Sequence, residues 1–195
     1  MNQRAQQRAE TRARIVEAAA ECFAERGFRA ASTREIAARA GVNQGLITYH
    51  FKSKDELWRA AADYFFGFIR SMIQERAAVL EALGEEERAR EAVRDFVRFA
   101  AAHPEFFRFM LEAGKHDDER LQWLVDHQLR PVYATIPGLS RFPDEVRTHA
   151  QYSLIGAASM IFAVAPEVQR LTGLDPSKPE AVEAHADFVA RLLVP

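Results

Sequence analysis

Ser32-Thr33-Arg34-Glu35-Ile36-Ala37-Ala38-Arg39-Ala40-Gly41-Val42-Asn43-Gln44-Gly45-Leu46-Ile47-Thr48-Tyr49-His50-Phe51 is the stretch that decides the fold. It reads as two short helices around a tight turn. Ile36, Ala37 and Ala40 fall on one face of a helix from about Thr33 to Ala40. Ser32 and Glu35 stand at capping-box spacing, where hydroxyl and carboxylate each satisfy an orphan amide. Gly41 ends that helix and supplies the positive φ of a tight turn. Asn43 is an N-cap for a second helix over Gln44–His50, with Val42, Leu46, Ile47 and Phe51 expected to face a core.

The neighbouring sequence continues in the same period. Upstream, Ile15, Ala18, Ala19, Cys22 and Phe23 form an apolar stripe that Gly27 closes. Downstream, Ser53 and Glu56 repeat the capping-box spacing and open a helix predicted from Lys54 to about Leu83, roughly 45 Å long at 1.5 Å per residue. Gly84 before three glutamates restarts the chain, and Pro104 opens another helix in its first turn. Further helices are predicted over Asp117–Ile136, with a kink at Pro131, and over Asp144–Val164. A short helix from Pro166 ends at Gly173, and a last one covers Glu180–Leu193, with a loop between Pro137 and Pro143. No segment alternates with period 2, so the class is all-α.

Composition narrows the function. The 195 residues carry 26 Lys and Arg against 28 Asp and Glu, a net charge of −2 that taken whole argues against a nucleic-acid protein. The charge is uneven, however. Residues 1–60 hold 11 bases and 7 acids, a net of +4, and the remainder has a net of −6. A basic head on an acidic body points to a polyanion partner for the head. The lone Cys22 excludes an intramolecular disulfide and a thiolate metal cluster, and suits a reducing cytoplasm. No leading apolar region and no run of about 18–20 apolar residues is present, so neither a signal peptide nor a membrane partner is expected.

Two helices in about 18 residues have helix-turn-helix spacing, which presents the second helix to a DNA major groove. With Leu46 and Ile47 inward, Gln44, Gly45 and Thr48 face out. Gln pairs with adenine through two bonds, Thr touches a base edge or a thymine methyl, and Gly admits the backbone closely. These three are the expected base contacts, with Arg34 serving a base or a phosphate. Thr33, Tyr49, His50 and Lys54 are the expected phosphate contacts. A cation such as Lys54 at a helix N-terminus is unfavourable until an anion neutralises it.

The segments Gly27-Phe28, Ala31–Ala37, Ala40–Asn43, Gly45–Phe51 and Ser53–Leu57 together resemble the DNA-binding domain of the tetracycline-repressor (TetR) family of transcriptional regulators, over roughly residues 9–60. One departure is that Thr48 stands where many members carry an aromatic residue. The resemblance implies a DNA-binding domain over 1–55 and a helical effector-binding and dimerisation domain over 56–195. It also implies a homodimer that reads a palindromic operator and is released by a small molecule.

The aromatic residues beyond position 60 outnumber the needs of a thin helical layer, which points to an apolar or aromatic effector lined by Phe65, Phe68, Phe96, Phe99, Phe107, Trp123 and Tyr152. Small residues around Gly156 allow close helix approach. They place a dimer face on Leu154, Ile155, Ala158, Ile161 and Phe162 with Val182, Ala186 and Val189. His103, His116 and His127 have no i, i+4 partner ligand, so no metal and no cofactor is expected. The chain carries neither a Gly-rich phosphate loop nor a nucleophile elbow, which argues against an enzyme built on His103 or His116. A constitutive DNA-binding protein with a filled C-terminal core is the other alternative.

Overall fold

The computed structural model describes residues 3–133 and 142–194. Among them the regular structure is entirely helical. Its helices are α1 (Gln3–Ala30), α2 (Thr33–Ala40), α3 (Gln44–His50), α4 (Lys54–Glu81), α5 (Glu85–Ala102), α6 (Pro104–Gly114), α7 (Glu119–Leu124), α8 (Arg130–Tyr133), α9 (Asp144–Ala163), α10 (Ala165–Thr172) and α11 (Pro179–Leu193). No single one of them is long and apolar enough to cross a membrane. The predicted Pro137–Pro143 loop lies largely outside the described residues. The chain divides into two compact units, Met1–Phe68 with Arg108–Pro131, and Ile69–Phe107 with Val132–Pro195.

In the first unit, α1 is broken rather than stopped at Gly27, whose φ of 72° and ψ of 169° are open to glycine alone. A Cβ there would lie 2.8 Å from Glu112 Oε2. Helical bonding resumes beyond it, with Ala31 N donating to Gly27 O at 3.2 Å. Ile15, Ala19, Cys22 and Phe23 from α1, Ile36 from α2, Ile47 from α3 and Leu57 from α4 fill the interior. A surface cluster ties α1 to α2. Arg39 donates to both oxygens of Glu25, at 2.9 and 2.7 Å, and to Glu21 at 3.3 Å. That pairing holds Glu25 below the usual carboxylate range. Trp58, Phe65, Phe109 and Trp123 form a ring group, with centroids 5.2 Å apart for Trp58–Phe109 and for Phe65–Phe109.

The segment after α6 departs from the expected single helix. Asp118, not Asp117, caps α7 by accepting from the amides of Arg120 and Leu121. The helix then widens into a π turn over Val125–Leu129, where the Arg130 amide donates to Val125 O, before α8 begins. Pro131 is the cause, since it has no N–H to give the preceding turn. The irregularity therefore precedes the proline instead of kinking at it.

In the second unit, α11 packs on α5 and α9. Phe96, Phe99, Phe106 and Phe107 pack ring on ring, with centroids 5.0 to 6.3 Å apart. An ion network crosses from α5 outward. Arg76 donates to Asp95 at 2.6 Å, Arg94 to Asp187 at 2.9 Å, and Arg98 to both oxygens of Glu183 at 2.9 and 2.7 Å. The stripe expected to be a dimer face divides here. Ala158, Phe162, Ala186 and Val189 are buried inside the chain itself, and His185 Nε2 lies 2.9 Å from Ala157 O. Among the small residues, Ala158 and Ser159 are buried and Ala157 O meets α11 through His185, whereas a Cβ on Gly156 would meet nothing within 4 Å. Leu154, Ile155, Ile161 and Val182 are half-buried. The outward faces of these helices carry Tyr152, Met160, Phe188 and Leu192 instead.

Candidate nucleic-acid interface

The site begins with its caps. Ser32 Oγ accepts from the Glu35 amide at 3.1 Å, which fixes the start of α2. Only half of the expected capping box forms, because the Glu35 carboxylate pairs with Arg26 at 2.7 Å. Gly41 closes α2 in the left-handed region, at φ 63° and ψ 38°, and its amide returns to Ala37 O and Ala38 O. Asn43 Oδ1 then accepts from the Gly45 amide at 2.8 Å and opens α3. At the far end Ser53 Oγ accepts from the Glu56 amide at 3.1 Å, and Glu56 accepts from the Lys52 amide at 2.8 Å.

These bonds leave one polar row in solvent. Gln44, Gly45 and Thr48 are all exposed. Gln44 Nε2 donates to Thr33 Oγ1 at 3.1 Å, which aims the amide while its carbonyl oxygen and second N–H stay available. Thr48 Oγ1 donates to Gly45 O at 2.9 Å, so the hydroxyl turns acceptor lone pairs and a methyl outward. Arg34 is exposed, and neither neighbouring carboxylate holds it: Glu35 pairs with Arg26 and Glu56 with the Lys52 amide. Tyr49 is 62% exposed and meets His50 edge-on at 5.1 Å. Burial lowers the His50 pKa, and the charges of Arg8 and Arg12 lower it further.

Two placements differ from expectation. Ile47 is buried at 3% exposure, but Leu46 is 37% exposed. A helix of two turns brings one residue per turn to the core, and Leu46 points about 100° away from Ile47. Lys54 turns towards the end of α1, with Nζ 3.4 Å from Arg29 O and 4.7 Å from the Phe28 ring centre. Its pKa is lowered, chiefly by burial. Arg120 covers the same ring at 3.8 Å and pairs with Asp55 at 3.3 Å and with Asp118. Sequence reading also passed over Arg8 and Arg12, which stack on Tyr49 and Phe51 at 5.3 and 5.0 Å. Their i, i+4 spacing along α1 was the available signal.

The expected effector residues do not gather in one unit. Phe65, Phe68 and Trp123 belong to the first, and Phe96, Phe99, Phe107 and Tyr152 to the second. Phe68 meets Tyr64 edge-on at 4.8 Å, and Tyr152 is exposed on α9. Among the described residues no group of three or more His, Cys, Asp or Glu is placed to hold a metal ion.

Residues 15–61 match the model of the tetR family of bacterial regulatory proteins. Over those residues the chain carries a tetR-family N-terminal domain. The HTH-type transcriptional repressor KstR2 of Mycobacterium tuberculosis is 42% identical over 76 residues, which are 37% of this chain and 38% of that protein. The chain thus spans well under two thirds of the length of these curated relatives. The fold extends further than the sequence likeness. The transcriptional regulator FadR of Bacillus subtilis, solved with stearoyl-CoA, superposes with a TM-score of 0.64 at 19% identity over 93% of this chain and 96% of that one. AibR, solved with isovaleryl coenzyme A and operator DNA, gives 0.62 at 20% identity over 95% and 98%.

Proposed function

We propose that the protein is a ligand-responsive transcriptional regulator, most simply a repressor, that binds a palindromic operator as a homodimer. The observation that carries this reading is the row Gln44, Gly45 and Thr48. It is exposed on a capped helix after a left-handed turn and flanked by Thr33, Arg34, Tyr49 and His50. Gln44 and Thr48 specify bases, Arg34 serves a base or a phosphate, and Thr33, Tyr49 and His50 fix the register on phosphates. Lys54 joins the phosphate set by letting go of Arg29 O and Phe28. Two copies meet through the outward apolar residues of α9 and α11 and present two heads to half-sites about 34–36 Å apart. The effector has an apolar or aromatic part, a reading supported by the ring-rich interior of both units and by the acyl-CoA molecules bound to FadR and AibR.

The test is selection of a duplex from a random pool by the full chain, followed by titration with acyl-CoA thioesters and aromatic acids. Release requires a coupling of only about 1–3 kcal/mol, a 5–150-fold change in affinity. Thr48→Ala is expected to shift the selected bases while leaving the salt dependence of binding intact. Equal loss on every sequence would contradict the base-reading role. A second reading, a regulator without effector, is favoured by the closed packing of Phe96, Phe99, Phe106 and Phe107. It predicts selection of a duplex and no response to any compound in the panel.

A further inference from the structure

We infer that the first three turns of α1 and the end of α3 form a second DNA contact, a basic groove that holds the phosphodiester backbone flanking the bases read by α3. Arg4, Ala5, Gln7, Arg8 and Thr11 on α1 face Leu46, Tyr49 and His50 across an open concavity of about 540 Å³. The wall from α1 is otherwise hard to explain. The first buried residue of that helix is Ile15, so from Arg4 onward about 16 Å of helix projects with no apolar face to bury. Its first turn has no acidic residue, although cations are disfavoured at a helix N-terminus. Arg4, Arg8 and Arg12 repeat at i, i+4, which sets like charges side by side. Glu10 is the one carboxylate between residues 3 and 14, and Gln6 donates to it at 3.1 Å.

A polyanion removes each of these penalties at once. Arg8 lies over the Tyr49 ring and Arg12 over the Phe51 ring, which aligns both guanidinium groups beside α3. A guanidinium held over a ring still has several N–H groups to offer phosphate oxygens. His50, which lines the same concavity and feels the charges of Arg8 and Arg12, gains a counter-charge there as well. The projecting length covers roughly four to five base steps at about 3.4 Å each. Such a contact adds affinity on any flanking sequence and carries no base preference.

This inference rests on the reading of α3 as the base-reading helix, and the test separates the two. The wild-type chain selects a duplex from a random pool, and affinity is then measured against KCl concentration on two versions. One ends flush with the selected site, and the other carries about six further base pairs of arbitrary sequence at each end. The wild type is expected to bind the flanked version about tenfold tighter, with a steeper salt slope. In the Arg4→Ala/Arg8→Ala double variant the difference between the two duplexes disappears, and Arg4→Lys/Arg8→Lys restores part of it. Circular dichroism melting checks that the variant folds, since the replaced side chains lie outside the core. Equal binding of both duplexes by the wild type, or a flank gain kept by the alanine variant, overturns the groove and leaves α3 untouched. Failure to select any duplex overturns the reading of α3, and the groove falls with it.

Discussion

The two units solve the problem of order differently. In the first, α2 and α3 are set by neighbours in sequence: Ser32 caps Glu35, Gly41 turns, Asn43 caps Gly45. The polar row of α3 is left in solvent because short-range bonds already hold the helix. In the second, order comes from partners far apart in the chain. Arg98 reaches Glu183, Arg94 reaches Asp187, and Arg90 donates to Val194 O. A polar row can stay exposed where local rules suffice, whereas helices without such rules must be held by their own interior. Electrostatics divides in the same way, with like charges crowded at the start of α1 and opposite charges matched along α5.

That contrast can be broken by substitution. Phe99→Ala removes a buried ring that touches Phe96, Phe106 and Phe107, and is expected to cost about 3–5 kcal/mol in chemical denaturation. The folded fraction should keep its affinity for the selected duplex; an equal loss of DNA binding would show that the units are not energetically distinct. Gly41→Ala meets no atom within 4 Å, so its cost is that of the left-handed backbone alone, about 1 kcal/mol. Here DNA affinity should fall along with stability, because the turn sets the angle of α3. The smallest effect sharpens the charge contrast. His50 sits below its ordinary value, so in the free protein its contribution is complete above about pH 6.5 and is lost as the pH falls. A phosphate favours the imidazolium, so DNA binding should instead tighten on acidification, by at most about tenfold. His50→Gln should remove both trends, measured by thermal melting and by anisotropy.

Legibility in the sequence follows the same division. The bounds of α2 and α3 could be read because caps and the left-handed turn act within four residues. Leu46 was misplaced because a two-turn helix has too few residues to establish a face. The π turn before Pro131 depends on a missing donor whose effect appears upstream of the proline. The inward set of α9 and α11 was legible as apolar and small, but period alone does not say whether its partner is the same chain or another. Phe65 and Phe99 read alike as apolar residues, and only packing assigns them to different ring groups. Lys54 stands at a helix start, where a cation is unfavourable, and its resting partners, Phe28 and Arg29 O, come from a segment about 25 residues away.

Gly27 has a consequence for how this chain can drift in evolution. Its backbone angles hold the position, since side chains rarely adopt them, whereas the Glu112 carboxylate at 2.8 Å from an added Cβ is the end of a flexible side chain and can swing aside. Shortening Glu112 leaves those angles unchanged. In a saturation screen position 27 should therefore read as fixed in every genetic background that keeps the break in α1, and a search for second-site suppressors at 112 should return none. Escape would require loss of the break itself.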